Sequence, residues 1–213
     1  MRVHLDERLR TIAGLVRPDR KIADIGTDHA FVPCWLWQQG AREIFATDIS
    51  EGPLSRAKST ARLYGIDGIR FMLCDGLDGV PPVDDVIIAG MGGEMIGDII
   101  SRCKFLNSEM RFILQPMTKD HLLRYALYRM GLEIISEKTA VAGRKVYTVM
   151  LCGYSGRAQN IDGRFAFTGK NTDRAYHEKI AAKLAKMGKR DEYYLRLREE
   201  ILREDKNTSP EKI

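Results

Sequence analysis

The chain has 213 residues, 44% hydrophobic and 30% charged, with a formal net charge of +5. That length holds one full domain plus a modest appendage. No apolar run approaches the roughly 18 residues of a membrane span and MRVHLDERLR has no signal-peptide apolar region, so a cytoplasmic protein with no membrane partner is expected.

Leu5, Leu9, Ile12 and Val16 recur with the helical period, and Pro18 ends that helix. Lys21–Ile25 reads as a strand entering a tight turn at Gly26. A helix starts near Phe31 and Pro33, where a missing N–H costs nothing, and closes near Gly40. The second strand, Glu43–Thr47, ends at Asp48, and a helix opens at Pro53 with Gly65 as its stop. Ile69–Leu73 runs up to Cys74 and Asp75 as a third strand.

Asp85–Ala89 holds the almost wholly apolar V-I-I-A of a strand covered on both faces. It leads into Gly90-Met91-Gly92-Gly93 and a helix with Ile96, Ile99, Ile100 and Cys103 on its buried stripe. A fifth strand, Arg111–Leu114, ends in Gln115-Pro116, and a helix spans about Lys119 to Met130. Two strands follow, Leu132–Glu137 and Lys145–Leu151, joined without a helical pattern and so most easily antiparallel. Five βα units ending in an antiparallel pair match the seven-stranded, Rossmann-like class I methyltransferase variant of the doubly wound α/β fold, not a plain dinucleotide fold.

Past Cys152 the texture changes. Tyr154 to Asn171 reads as a connector rich in Gly, Arg and polar residues. Asp173–Met187 and Arg190–Glu204 each carry one apolar stripe, which gives a small C-terminal α-helical hairpin with a frayed tail from Lys206. The expected division is 1–153 and 154–213. Residues 154–213 carry +4 of the net charge and residues 1–153 only +1, which suits a nucleic-acid partner for the hairpin.

The turn after the first strand carries the functional reading. A dinucleotide-binding turn is G-x-G-x-x-G, but aligning on Gly26 puts Asp28 and Phe31 where the second and third glycines belong. A carboxylate there repels a pyrophosphate. Asp24, Asp28, Asp48 and Asp75 together, at successive strand ends, suit a cationic ligand rich in hydroxyls. S-adenosylmethionine, with its sulfonium, ammonium and ribose diol, fits. Cys34, Cys74, Cys103 and Cys152 contain no C-x-x-C, and His4, His29, His121 and His177 form no ligand-spaced cluster, so no metal is expected.

Five motifs in order resemble one known family, the bacterial tRNA (adenine-22-N1)-methyltransferases. They are A-D-I-G-T-D-H-A at 23–30, E-G-P at 51–53, I-A-G-M-G-G at 88–93, L-Q-P at 114–116 and K-V-Y at 145–147. The resemblance covers about residues 5–151 and extends to the helical C-terminal part in architecture only. It implies methyl transfer from S-adenosylmethionine to N1 of an adenine in tRNA. Asp24 and Gly26 would then hold the methionine end, and Asp48, beside Ile49, the ribose hydroxyls. Asp75 and Gly76 would meet the cofactor's adenine, and Ala89 and Gly90 would complete the cofactor side.

The acceptor side would be Asp28, His29, Met91 and Gly92. His29 either donates to the substrate or caps the following helix. Lys179, Lys183, Lys186, Arg196 and Arg198 are the candidate RNA grip, and an exposed helix face would look similar. A small-molecule methyltransferase on the same core and a non-catalytic RNA-binding protein both stay open at this point, as does the choice between a monomer and a weak dimer.

Overall fold

A computed structural model describes residues 1–208. Its centre is a seven-stranded sheet in the order β3-β2-β1-β4-β5-β7-β6. The parallel part comprises β1 (Ile22–Ile25), β2 (Ile44–Asp48), β3 (Arg70–Leu73), β4 (Asp85–Gly92) and β5 (Arg111–Thr118). Strand β7 (Lys145–Tyr154) inserts antiparallel between β5 and β6 (Leu132–Ala142). This is the seven-stranded arrangement expected from the element order.

Alternation along the strands divides the core into two layers. Ile22, Ile44 and Ile87 face a layer containing Ile12 of α1 (Glu7–Ala13), Leu36 of α2 (Phe31–Gln38) and Ala57 of α3 (Glu51–Leu63). Ala23, Val86, Ile88 and Leu114 face the other, with Ile96 and Ile100 of α4 (Gly93–Ser101) and Leu123 and Leu127 of α5 (Asp120–Arg129). Val86, Ile87 and Ile88 are fully buried, which accounts for the unbroken apolar run in β4.

Three expectations change. No helix joins β3 to β4; residues 74–84 make the crossing as a turn-rich segment. The last two strands are longer than their apolar pattern, and they meet at a two-residue turn, since Ala142 pairs with Lys145. Gly143 takes φ +61° there, a conformation suited to a tight hairpin. Beyond Glu137, edge strand β6 has exposed Lys138 and Val141, buried Ala140 and half-buried Thr139 and Ala142, so an apolar run no longer marks it.

The third change is α6 (Gly163–Thr168), a short helix inside the expected connector. Asp162 caps it by accepting from the Phe165 N–H at 2.7 Å. Helices α7 (Arg174–Met187) and α8 (Tyr193–Thr208) form the C-terminal hairpin, with Tyr176, Ile180 and Leu184 against Leu197 and Ile201. Helix α8 continues through Lys206 to Thr208, and the rest of the tail read as frayed lies outside the described residues.

The hairpin is fixed to the sheet by a buried polar network. The Arg124 guanidinium, with no exposed side-chain surface, donates to both Glu137 carboxylate oxygens (2.8 and 3.1 Å), to the Ala166 carbonyl (2.8 Å) and to the Tyr176 hydroxyl (2.9 Å). The Tyr176 hydroxyl donates onward to Asp120 at 2.7 Å. Burial works to raise the Asp120 carboxyl, but the His121 hydrogen bond and the charges of Lys183 and Arg124 outweigh it and hold it far below the usual range. Among the described residues no helix is long and apolar enough to cross a membrane.

Candidate active site

A cavity of about 750 Å³ opens at the carboxyl ends of β1, β2, β3 and β4. Strand order reverses beside β1, the place where open α/β sheets bind ligands. Asp24 and Gly26 border it from β1 and its turn, Asp48 and Ile49 from β2, and Asp75 and Gly76 from β3. Ala89, Gly90 and Met91 border it from β4, with Asp28 and His29 beside them. The fold thus gathers every predicted cofactor-side residue around one cavity. Gly92 is not on its wall: it caps the N-terminus of α4 and faces Thr118.

The four aspartates differ in charge balance. Asp24 is 7% exposed, and its hydrogen-bond partner is the Thr27 hydroxyl at 2.7 Å. Burial pushes its carboxyl up from 3.8 to about 6; the Thr27 hydrogen bond opposes the rise and neighbouring Asp48 adds to it. Among the described residues no cationic side chain pairs with it. A buried carboxylate on a cavity wall fits a ligand that brings its own positive charge. Asp48 accepts from the Ser50 N–H through Oδ1 at 3.0 Å, and Oδ2 has no protein partner among the described residues.

Asp28 and Asp75 are compensated, so the four aspartates expected to suit a cationic ligand do not act alike. Arg56 reaches Asp28 Oδ1 at 2.7 Å, and His29 Nδ1 reaches Oδ2 at 2.8 Å. Burial works to raise the Asp28 carboxyl, but Arg56 and His29 outweigh it and hold it below the usual value. Arg102 grips both oxygens of Asp75 at 3.0 Å and also reaches Asp78. That hydrogen bonding keeps the exposed Asp75 carboxyl below its usual value. Arg56 and Arg102 stand on α3 and just past α4, too far along the chain for sequence spacing to pair them with either aspartate.

The turn itself is held in uncommon backbone geometry. Gly26, Asp28 and Ala30 take φ of +71°, +47° and +53°, and such conformations at non-glycine residues cluster at functional sites. Gly26 is favoured by its positive φ, and the atom nearest to a Cβ there is the flexible end of the Met91 side chain. His29 does not cap α2: the cap is Ala30, without a side-chain hydrogen bond, and the imidazole instead pairs with Asp28 and stacks on Phe31. Among the described residues no cluster of His, Cys, Asp or Glu could hold a metal ion.

The family model described as "Methyltransferase domain" matches residues 5–150. A curated Bacillus subtilis protein, tRNA (adenine(22)-N(1))-methyltransferase, is 32% identical over 164 residues, covering 75% of this chain and 69% of the relative. The chain belongs to the tRNA (adenine(22)-N(1))-methyltransferase family. Two solved structures of this family share its fold across nearly the whole length. The B. subtilis m1A22 tRNA methyltransferase TrmK superposes with a TM-score of 0.79 at 24% identity, covering 96% of this chain and 97% of that one. M. capricolum TrmK, crystallised with S-adenosyl-homocysteine, gives 0.73 at 24% identity, covering 92% and 94%.

The hairpin cations expected to face the family's RNA substrate are not a row of free charges. Lys183 pairs with Asp120 at 3.0 Å and its side chain is 32% exposed. Lys179 donates to the Val146 carbonyl at 2.7 Å, tying α7 to β7. Arg196 lies 3.5 Å from Glu192, and Arg198 is half-buried with its Nε unpartnered. Lys186 is exposed. Sequence reasoning missed Asp6 and Arg8, which line the cavity from α1 and its cap. Their one signal was position: polar residues beside Leu5 and Leu9 on the first amphipathic helix.

Proposed function

We propose that this protein transfers the methyl group of S-adenosylmethionine to N1 of adenine 22 in tRNA. The observation that carries the reading is Asp24, a buried carboxylate without a cationic partner among the described residues, on the wall of a cavity at the sheet's switch point in a chain of this family. When bound, the cofactor supplies an electrophilic methyl group on a sulfonium. Asp24 compensates the cofactor's positive methionine end, and Gly26 lets the backbone approach it. Asp48, with one oxygen unengaged, accepts from the ribose hydroxyls. Gly76 keeps the wall close beside the cofactor's adenine, since a Cβ there would come within 3.0 Å of Ile99.

Asp28, His29 and Met91 form the acceptor side. Neutral adenine already carries a lone pair on N1, so the chain's task is to orient the base. Positive charge develops on the acceptor ring, and the Asp28 carboxylate, ionised through the working pH range, stabilises it from a fixed position. We assign residues 1–153 to cofactor binding and chemistry and 154–213 to contact with tRNA, with exposed Lys186 and Arg196 as the hairpin cations best placed to act outward. The reading takes the protein as a monomer or weak dimer, acting in the cytoplasm beside its tRNA. The test is to incubate protein, cofactor and unmodified tRNA transcript and analyse the nucleosides by mass spectrometry. 1-Methyladenosine should appear with adenine at position 22 and vanish when guanine replaces it; its absence from both would overturn the reading.

A further inference from the structure

Arg8, in the first turn of α1, lines the same cavity. Its Nη1 donates to Gln115 Oε1 at 2.8 Å across 107 residues of chain. Its guanidinium carbon lies 6.0 Å from the centre of the Tyr147 ring. Gln115 is fully buried, and its amide nitrogen donates to the Pro116 carbonyl at 3.0 Å. A carbonyl only accepts, so the amide oxygen is the atom presented to Arg8. The L-Q-P and K-V-Y motifs of the sequence thus meet at one arginine.

The partner's neutrality is the informative point. Arg102, the other arginine on the cavity wall, is compensated by Asp75 and Asp78, and Arg56, off the wall, is compensated by Asp28. Among the described residues Arg8 has no carboxylate partner, so its full charge is available to a ligand. The wall carboxylates without an ion-pair partner among the described residues are Asp6, Asp24, Asp48 and Asp98, which repel a polyanion. A positive charge also does nothing for an adenine ring that is itself becoming cationic. Its complement is an anion beside that ring.

We propose that Arg8, aimed by Gln115 and Tyr147, binds a backbone phosphate next to the adenosine that enters the cavity. The proposal deepens the reading of the substrate as tRNA and rests on it. Guanidinium forks suit phosphate oxygens, and one hydrogen bond to Gln115 leaves most of the fork's donors for them.

The test uses the full-length protein with the changes Arg8→Gln and Arg8→Lys. Arg8→Gln should raise KM for tRNA by about tenfold, leave kcat within about threefold, and leave calorimetric S-adenosylmethionine binding near wild type. The slope of log(kcat/KM) against log salt should become shallower by about 0.7–0.9, one phosphate contact fewer. Arg8→Lys keeps the charge and should keep the wild-type slope. An unchanged KM in Arg8→Gln, or a raised KM with an unchanged slope, overturns the proposal and leaves a packing role. Wild-type protein that methylates no tRNA would instead overturn the substrate reading itself.

Discussion

Replacing Asp24 with Asn separates the charge of the buried carboxylate from its shape. Burial raises the carboxyl from 3.8 to about 6 in the ligand-free fold. A rise of that size disfavours the ionised fold by about 3 kcal/mol, at 1.36 kcal/mol for each pH unit. Between pH 4 and 6 the native state therefore binds more protons than the unfolded chain. Its contribution to stability is full below pH 4 and lost as the pH climbs through 6. Asn cannot ionise and keeps an oxygen for the Thr27 hydroxyl, so at pH 8 the ligand-free variant should be more stable by up to about 3 kcal/mol. Urea denaturation from pH 4.5 to 8 reads both effects.

The cofactor returns the positive charge that the fold omits, so its binding should favour ionised Asp24. Wild-type affinity should be flat above pH 6 and weaken by about tenfold per unit below it, whereas Asp24→Asn should bind about a hundredfold more weakly at pH 8 with little pH dependence in that window. If the variant keeps the wild-type loss of stability between pH 4 and 6, another group titrates there. If it binds S-adenosylmethionine with wild-type affinity, Asp24 does not face the cofactor's charge.

Asp48→Ala should weaken cofactor binding by about 1.5–3 kcal/mol, the scale of hydrogen bonds to a charged group, as read by calorimetry. Asp28→Asn retains a side chain that tolerates left-handed backbone and removes the charge, so single-turnover methylation should slow by about 10². A near-normal rate would mean that Arg56 and His29 already cancel the field of Asp28 at the acceptor. Glu137→Gln leaves the Arg124 guanidinium buried without its carboxylate and should cost about 3–5 kcal/mol in chemical denaturation. A loss below about 1 kcal/mol would show that the Ala166 and Phe167 carbonyls and the Tyr176 hydroxyl suffice to hold it.

The sequence determined the sheet. Apolar runs such as Val86–Ala89 and the glycines that follow them are local patterns, and chain order with a terminal antiparallel pair specifies the seven-stranded topology. It also determined which aspartates stand at strand ends, because the carboxyl end of each strand is fixed by where its apolar run stops. Charge balance at the site was beyond its reach. Whether Asp28 is free or held by Arg56, and Asp75 free or held by Arg102, depends on helices brought within 3 Å by packing. Spacing along the chain carries no such distance. The same holds for Arg8 and Gln115, and for the network that fixes the hairpin through Arg124 and Tyr176. The raised carboxyl of Asp24 is likewise a property of burial, and burial exists only once both layers have closed over the sheet.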